Sequence, residues 1–214
     1  MLVTILQPAF IPYLGYINMI CLSDIFIFYD DVLFFRWFVN RNLIKGNKWL
    51  TIPVKSHRIL IKDTEIADQI WKKRHLKLLH HAYARYPFYE ETMPLVNKIY
   101  EHECSLSEFA IASVKEICKH LGIEKIFKKS SELGIENPNP TQRLVDICLS
   151  LKAGKYLTGK RSRNYIEQDR FYNNGIELYI HDYKPGLSIV DTLMTIGKEK
   201  TRELIPDATA IFRY

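Results

Sequence analysis

No run of apolar residues in this sequence approaches the roughly 18 that would cross a bilayer, and no membrane span is expected. Met1 to Pro8 lacks a charged leading region and a small-residue cleavage site. No secretory signal is therefore expected, and the expected compartment is the cytosol. Cysteine is sparse. Cys21, Cys104, Cys118 and Cys148 are scattered, without a CxxC pair or the Cys/His spacing of a structural zinc. They are expected to be reduced, mostly buried thiols, and no metal site is expected. There is no intact P-loop and no GxGxxG, which disfavours those two ways of holding a nucleotide. Internal repeats and low-complexity stretches are also absent.

What is present suits a folded chain of enzyme size. Of 214 residues, 47% are hydrophobic and 25% charged, as in ordinary globular proteins. The net charge is +6 and the pI about 9.0. That favours anionic partners: phosphates, nucleotides, acidic membrane surfaces or RNA. The cations do not form one block along the chain, so charge alone does not make it a nucleic-acid binder. Thirteen Tyr, 11 Phe and three Trp suit a cleft that stacks rings or hydrogen-bonds hydroxyls.

The pattern predicts an α/β fold. Leu2 to Leu6 reads as a buried strand stopped at Gln7-Pro8. Pro12 fits the first turn of a helix whose apolar face is Leu14, Ile17, Ile20 and Cys21. Ile25 to Tyr29 is a second buried strand ending at Asp30-Asp31. Strand, helix and strand in so short a span form a βαβ unit with parallel strands. Trp49 to Val54 reads as a third strand, introduced by the turn Lys45-Gly46-Asn47. Helical periodicity follows over Asp68–Tyr86, Phe88–Glu103 and Ser107–Leu121. Further strands are expected at 126–131, 155–158 and 176–180, and helices capped by Thr141 and over 188–196. The expectation is one domain, 1–214, with a mainly parallel Rossmann-like sheet, helices on both faces and a helical insertion at about 66–122.

Ligands of open α/β sheets bind at the carboxyl ends of strands. Four such ends carry chemistry. The first is Gln7 to Tyr16, where Gly15 permits close backbone approach. The others are Asp30-Asp31, Pro53-Val54-Lys55 and Thr158 to Tyr165.

These segments resemble the WbqC-like family of bacterial proteins, nearly end to end. The residues that carry the likeness are Gln7-Pro-Ala-Phe-Ile-Pro-Tyr13-Leu-Gly15-Tyr16, Ser23-Asp24, Asp30-Asp31-Val32, Asn40-Arg41-Asn42 and Trp49 to Val54. They continue through Trp71 to His75, Tyr86 to Tyr89, Leu121-Gly122-Ile123, Tyr156 to Gly159, Tyr165, Gly175-Ile176 and Leu187 to Asp191. The resemblance implies an enzyme of surface-polysaccharide (O-antigen) assembly. The implied task is acyl or aminoacyl transfer, glycyl included, to the amine of an amino sugar or its nucleotide conjugate. A more distant likeness is to the HxGH nucleotidylyltransferase-like synthetases, which condense a carboxylate with an amine using ATP. Tyr13 and Tyr16 stand where both histidines of that loop would be, and tyrosine does not become cationic. Gly159 to Tyr165 matches their second phosphate loop in position.

Amide formation needs a neutral amine, donors for an oxyanion and cations for a diphosphate. Asp30 or Asp31 could hold the sugar amine or take its proton, and His75 is the alternative base. The bland alternatives are a cap or an ion pair to Arg41 for the aspartates, and a structural role for the histidine. Arg41, flanked by Asn40 and Asn42 after the aromatic run Phe34, Phe35, Trp37 and Phe38, is the first candidate phosphate or carboxylate clamp, with a surface arginine as the alternative. Lys160, Arg161 and Arg163, between Gly159 and Tyr165, form the second cationic loop. Gln7, Tyr13, Tyr16 and Lys55 complete the candidate binding residues. ATP with a free acid, a thioester or an aminoacyl-tRNA all fit as donor, so the cofactor is unassigned. Two other readings fit the same residues: a non-catalytic nucleotide-sugar or glycan-binding module, and an RNA-contacting protein, tRNA included.

Overall fold

The computed structural model describes residues 1–35, 38–207 and 211–213; Trp37 of the aromatic run lies outside them. The βαβ start is β1 (Leu2–Leu6), α1 (Leu14–Leu22) and β2 (Ile25–Phe28), with β1 and β2 parallel. All four residues of β2 are buried because both sheet faces are covered. Phe26 and Phe28 enter one core, Ile25 and Ile27 the other. Helix α1 starts two residues after Pro12, with Tyr13 extended at its N-cap.

The sheet has six strands in the order β5-β2-β1-β6-β7-β8. β5 (Ile126–Lys129), β6 (Lys155–Gly159) and β7 (Glu177–His181) run parallel with β1 and β2. β8 (Ile211–Arg213), which periodicity did not reveal, closes the edge antiparallel to β7. This is the mainly parallel, Rossmann-like α/β fold expected. The larger core draws on α1, α2 (Ile70–Tyr83), α3 (Tyr89–Glu101), α4 (Leu106–His120) and α7 (Ile189–Glu203) on one face. α5 (Pro140–Ser150) and α6 (Gln168–Asn173) cover the other.

Three expectations need correction. The segment from Trp49 is not a third strand of the main sheet. β4 (Lys48–Thr51) folds back on β3 (Arg41–Ile44) as a separate antiparallel hairpin. Its turn places Gly46 (φ 74°) and Asn47 (φ 55°) in the left-handed region those residues tolerate. A tight turn can only reverse the chain, whereas a parallel strand needs a long crossover. The cap of α5 is Asn139, whose side chain accepts from Gln142 N (2.8 Å), with Pro140 at the first helical position. Helix α7 runs past 196 to Glu203 through a kink at Gly197 (φ 80°), where the Phe88 ring would lie 2.6 Å from an added Cβ. Among the described residues no helix is long and apolar enough to cross a membrane.

Candidate functional site

The chain leaves β1 toward β2 on one side and returns to its other side with β6. At such a reversal the loops leaving neighbouring strands diverge, and a crevice opens at the carboxyl ends. A cleft of about 720 Å³ lies there. Its walls come from the segments after β1, β2, β6 and β7 and from the start of α5.

Eight of the residues singled out by sequence line this one cleft: Gln7, Tyr13, Tyr16, Gly159, Lys160, Arg161, Arg163 and Tyr165. Gly15 lies directly behind it. A Cβ there would fall 2.6 Å from the Tyr183 ring and 2.8 Å from the Tyr13 ring, so glycine lets both tyrosines pack at the wall. Burial raises the Tyr13 pKa, and the positive charge of Arg161 partly offsets it. Tyr16 is fully committed: its hydroxyl donates to the Gln7 carbonyl at 2.9 Å, and burial pushes its pKa well up. The Gln7 side-chain amide lines the cleft and makes no hydrogen bond to the described residues. In the cationic loop, Lys160 pairs with Asp182 at 2.8 Å, and the Arg163 guanidinium stacks on Phe212, 4.6 Å from the ring centroid.

The Gln7–Tyr13 loop is held by groups distant in sequence. Ile11 has φ 35°, and its amide donates to Ser113 Oγ (3.1 Å) on α4. Its carbonyl accepts from Asn42 Nδ2 (2.8 Å) and Ser188 Oγ (2.7 Å). The Phe10 amide donates to the Phe38 carbonyl (2.9 Å), and the Ile189 amide at the start of α7 donates to the Pro12 carbonyl (2.7 Å). A buried loop must satisfy its backbone polar groups, and here side chains from β3, α4 and α7 do so.

The remaining sequence candidates sit elsewhere. Asp30 is buried, its carboxylate accepts from Ser131 N (3.0 Å) and Ser131 Oγ (2.8 Å), and its amide donates to Ser130 Oγ (3.2 Å), whose hydroxyl donates to Asp31, which ties β2 to the turn after β5. Asp31 pairs with Arg143, not Arg41, and that guanidinium covers the Tyr29 ring at 5.0 Å. Tyr29 itself does line the cleft. His75 is buried between α2, the hairpin and α3. Its Nε2 donates to the Thr51 carbonyl (3.2 Å), its Nδ1 accepts from Tyr100 (3.1 Å), and the ring packs among Phe10, Trp71 and Tyr100. Burial drops its pKa to about 4. Arg41 stacks on Trp49 in the hairpin, 4.5 Å from the ring centroid. Asn40 donates to the Ile52 carbonyl (2.9 Å), and Asn42 holds the Gln7–Tyr13 loop. Lys55 is exposed and paired with Glu65. None of these seven lines the cleft: the hairpin carries Asn40, Arg41 and Asn42 away from the parallel sheet, Asp30 and Asp31 turn to Ser130, Ser131 and Arg143, and His75 is packed on α2. Burial pushes the thiols of Cys118 and Cys148 up to about 12, which suits packing and not nucleophilic attack. Among the described residues no three of His, Cys, Asp and Glu gather as a metal would require.

Sequence reasoning overlooked the end of β7. His181, Asp182, Tyr183 and Lys184 all line the cleft, and the strand-end rule that selected Gln7 and Gly159 would have found them. His181 is buried, and its tautomer follows from its neighbours. Asn18 Oδ1 accepts from the Asp207 amide (2.7 Å), so Asn18 Nδ2 is the donor to the Asp207 carbonyl (3.0 Å) and to His181 Nε2 (2.8 Å). The His181 proton therefore sits on Nδ1. Burial lowers its pKa and keeps the ring neutral near pH 7. Tyr183 stacks on this ring at 5.8 Å.

A model of the WbqC-like protein family matches residues 7–203. The chain belongs to that family. The WbqC-like match takes in every loop that lines the cleft, from Gln7 to Pro185. The chain is also similar to the uncharacterized protein Rv1507c of Mycobacterium tuberculosis (strain ATCC 25618 / H37Rv). The two are 30% identical over 220 residues, covering 92% of this chain and 94% of that protein. No solved structure matches the chain.

Proposed function

We propose that this WbqC-like chain binds a nucleotide-linked amino sugar in the β1/β6 cleft and transfers an acyl or aminoacyl group, glycyl included, to its amine, as a step of surface-polysaccharide assembly. One observation carries the reading. An open carboxamide (Gln7), tyrosine rings (Tyr13, Tyr29, Tyr165, Tyr183) and cations (Arg161, Arg163, Lys184) converge on one crevice at the switch point of a parallel sheet. Guanidinium groups suit a diphosphate, rings suit a base or sugar face, and an amide suits a hydroxyl or amine. The attacking amine loses a proton as the amide forms, so a base must stand at the cleft. Asp182 takes that role once Lys160, its partner at 2.8 Å, turns to the diphosphate; Asp30 and His75 lie outside the cleft. The Nδ1–H of His181 is a donor suited to the developing oxyanion.

Mass spectrometry tests this with nucleotide-linked 3-amino and 4-amino dideoxyhexoses. Glycine with ATP, glycyl-tRNA and acyl thioesters are supplied separately as donors. The expected result is a mass gain of one acyl group with one donor, lost in Asp182→Asn while sugar-nucleotide binding persists. Tight binding without any mass gain would instead support a non-catalytic nucleotide-sugar module. The engagement of Asp30 by Ser131 and the burial of His75 favour that second reading.

A further inference from the structure

The excess of basic residues is concentrated in the fold although it is divided in the sequence. Of the 30 Lys and Arg, 12 fall in residues 32–62 and 69–89, and none of the 24 Asp and Glu does. The rest of the chain then carries 18 cations against 24 acids. These two acid-free segments are the β3–β4 hairpin with its flanks and helix α2. They pack against each other at both ends. The Lys45 amide donates to the Tyr83 hydroxyl (2.9 Å), Lys45 Nζ sits over the Tyr86 ring (4.2 Å), and His75 meets the Thr51 carbonyl (3.2 Å).

Helix α2 buries Trp71, His75, Leu79 and Tyr83 and turns Lys73, Arg74, Lys77, His80 and His81 outward. Among the described residues, Lys48, Lys73, Arg74, Lys77 and Arg85 take part in no ion pair. Of the acids bordering these segments, Glu65 is engaged with Lys55, Asp68 with the Ile70 amide at the start of α2, and Asp191 with the Tyr83 hydroxyl. Beside this ridge Trp49 is 46% exposed, with Arg41 over one face of its ring. An unbalanced cationic surface of this size costs repulsion unless a polyanion covers it.

We propose that the hairpin–α2 face docks RNA, with Lys73, Arg74, Lys77 and Arg85 on phosphates and Trp49 stacking an unpaired base. A lipid surface fits less well, because a membrane-lying helix needs its apolar face for the bilayer and α2 has already buried that face in the core. The face begins where the cleft ends. Phe38 and Val39 line the cleft, and β3 starts at Arg41. The inference stands apart from the amine-acylation reading, since RNA binding is read without turnover.

Fluorescence anisotropy with labelled oligouridylate and with bulk tRNA, over a series of KCl concentrations, tests it. The full chain is expected to bind both with strong salt dependence. K73E/R74E/K77E should bind at least about tenfold more weakly, with a log–log salt slope smaller by about 2. The charge-matched control K115E/K119E/K200E, on α4 and α7, should stay within about twofold of the parent. The neutral K73Q/R74Q/K77Q variant gives the same ordering should charge reversal disturb folding, which thermal melting checks. Trp49→Ala should weaken oligouridylate more than duplex RNA. Absence of RNA binding at low salt, equal losses in both charge variants, or binding of phosphatidylserine vesicles without RNA binding would each overturn the proposal.

Discussion

His75, a candidate base in the sequence, is engaged at both ring nitrogens in the fold. Its Nε2 donates to a backbone carbonyl, its Nδ1 accepts from a tyrosine, and burial drops its pKa from 6.5 to about 4. An unfolded chain takes up a proton at this ring near pH 6.5, while the folded protein resists until about 4. Its contribution to stability is therefore complete above about 6.5 and is lost as pH falls toward 4. His181 and His120 are shifted in the same direction by burial. Urea unfolding across this window should show stability falling with pH, with one proton contributing about 1.4 kcal/mol per pH unit. His75→Gln removes that proton from the slope. An unchanged slope in the variant would show that His75 is not the titrating group. Asp30 follows a related logic: a carboxylate at a strand end could serve chemistry, but two hydrogen bonds from Ser131 engage it in joining β2 to the turn after β5.

Among the elements, the loop after β1 illustrates what periodicity reveals and what it misses. Gln7-Pro8 marks where β1 must stop, because proline cannot donate to the ladder. The shape of the loop beyond depends on Asn42, Ser113 and Ser188, contributed by β3, α4 and α7. Asn42→Ala removes donors to the Phe10 and Ile11 carbonyls. It should destabilise the protein by about 1–3 kcal/mol in urea unfolding. Under the proposed function it also weakens sugar-nucleotide binding, since the loop carries Gln7 and Tyr13. A change below about 0.5 kcal/mol would mean that water or a shifted loop replaces the amide. Asn40-Arg41-Asn42 reads as a ligand motif in sequence, but the turn at Gly46-Asn47 folds Arg41 and Asn42 onto Thr51 and Leu50 in the hairpin. The local pattern announces a strand but not which strand will pair with it.

At the level of the fold, the reversal of strand order decides where a ligand can enter. Cations at the ends of β6 and β7 meet the tyrosines after β1 because β6 returns beside β1. Arg161→Gln with Lys184→Gln should therefore weaken binding of a nucleotide-linked sugar far more than that of the free sugar, by about tenfold or more in titration calorimetry. Equal effects on both ligands would remove the diphosphate from this side of the cleft. The parallel strands, the helices between them and the polar residues at the ends of β1 and β6 were legible in the chain. They follow from local periodicity, proline and glycine, which act over a few residues. The pairing of Asp31 with Arg143, the locked histidines and the place of His181 and Tyr183 in the cleft were not legible. Each depends on contacts between residues tens to hundreds of positions apart. So does the merging of two separate acid-free segments into one basic face. Local pattern chooses the elements, and packing chooses which of their polar groups are spent on each other and which are left for a ligand.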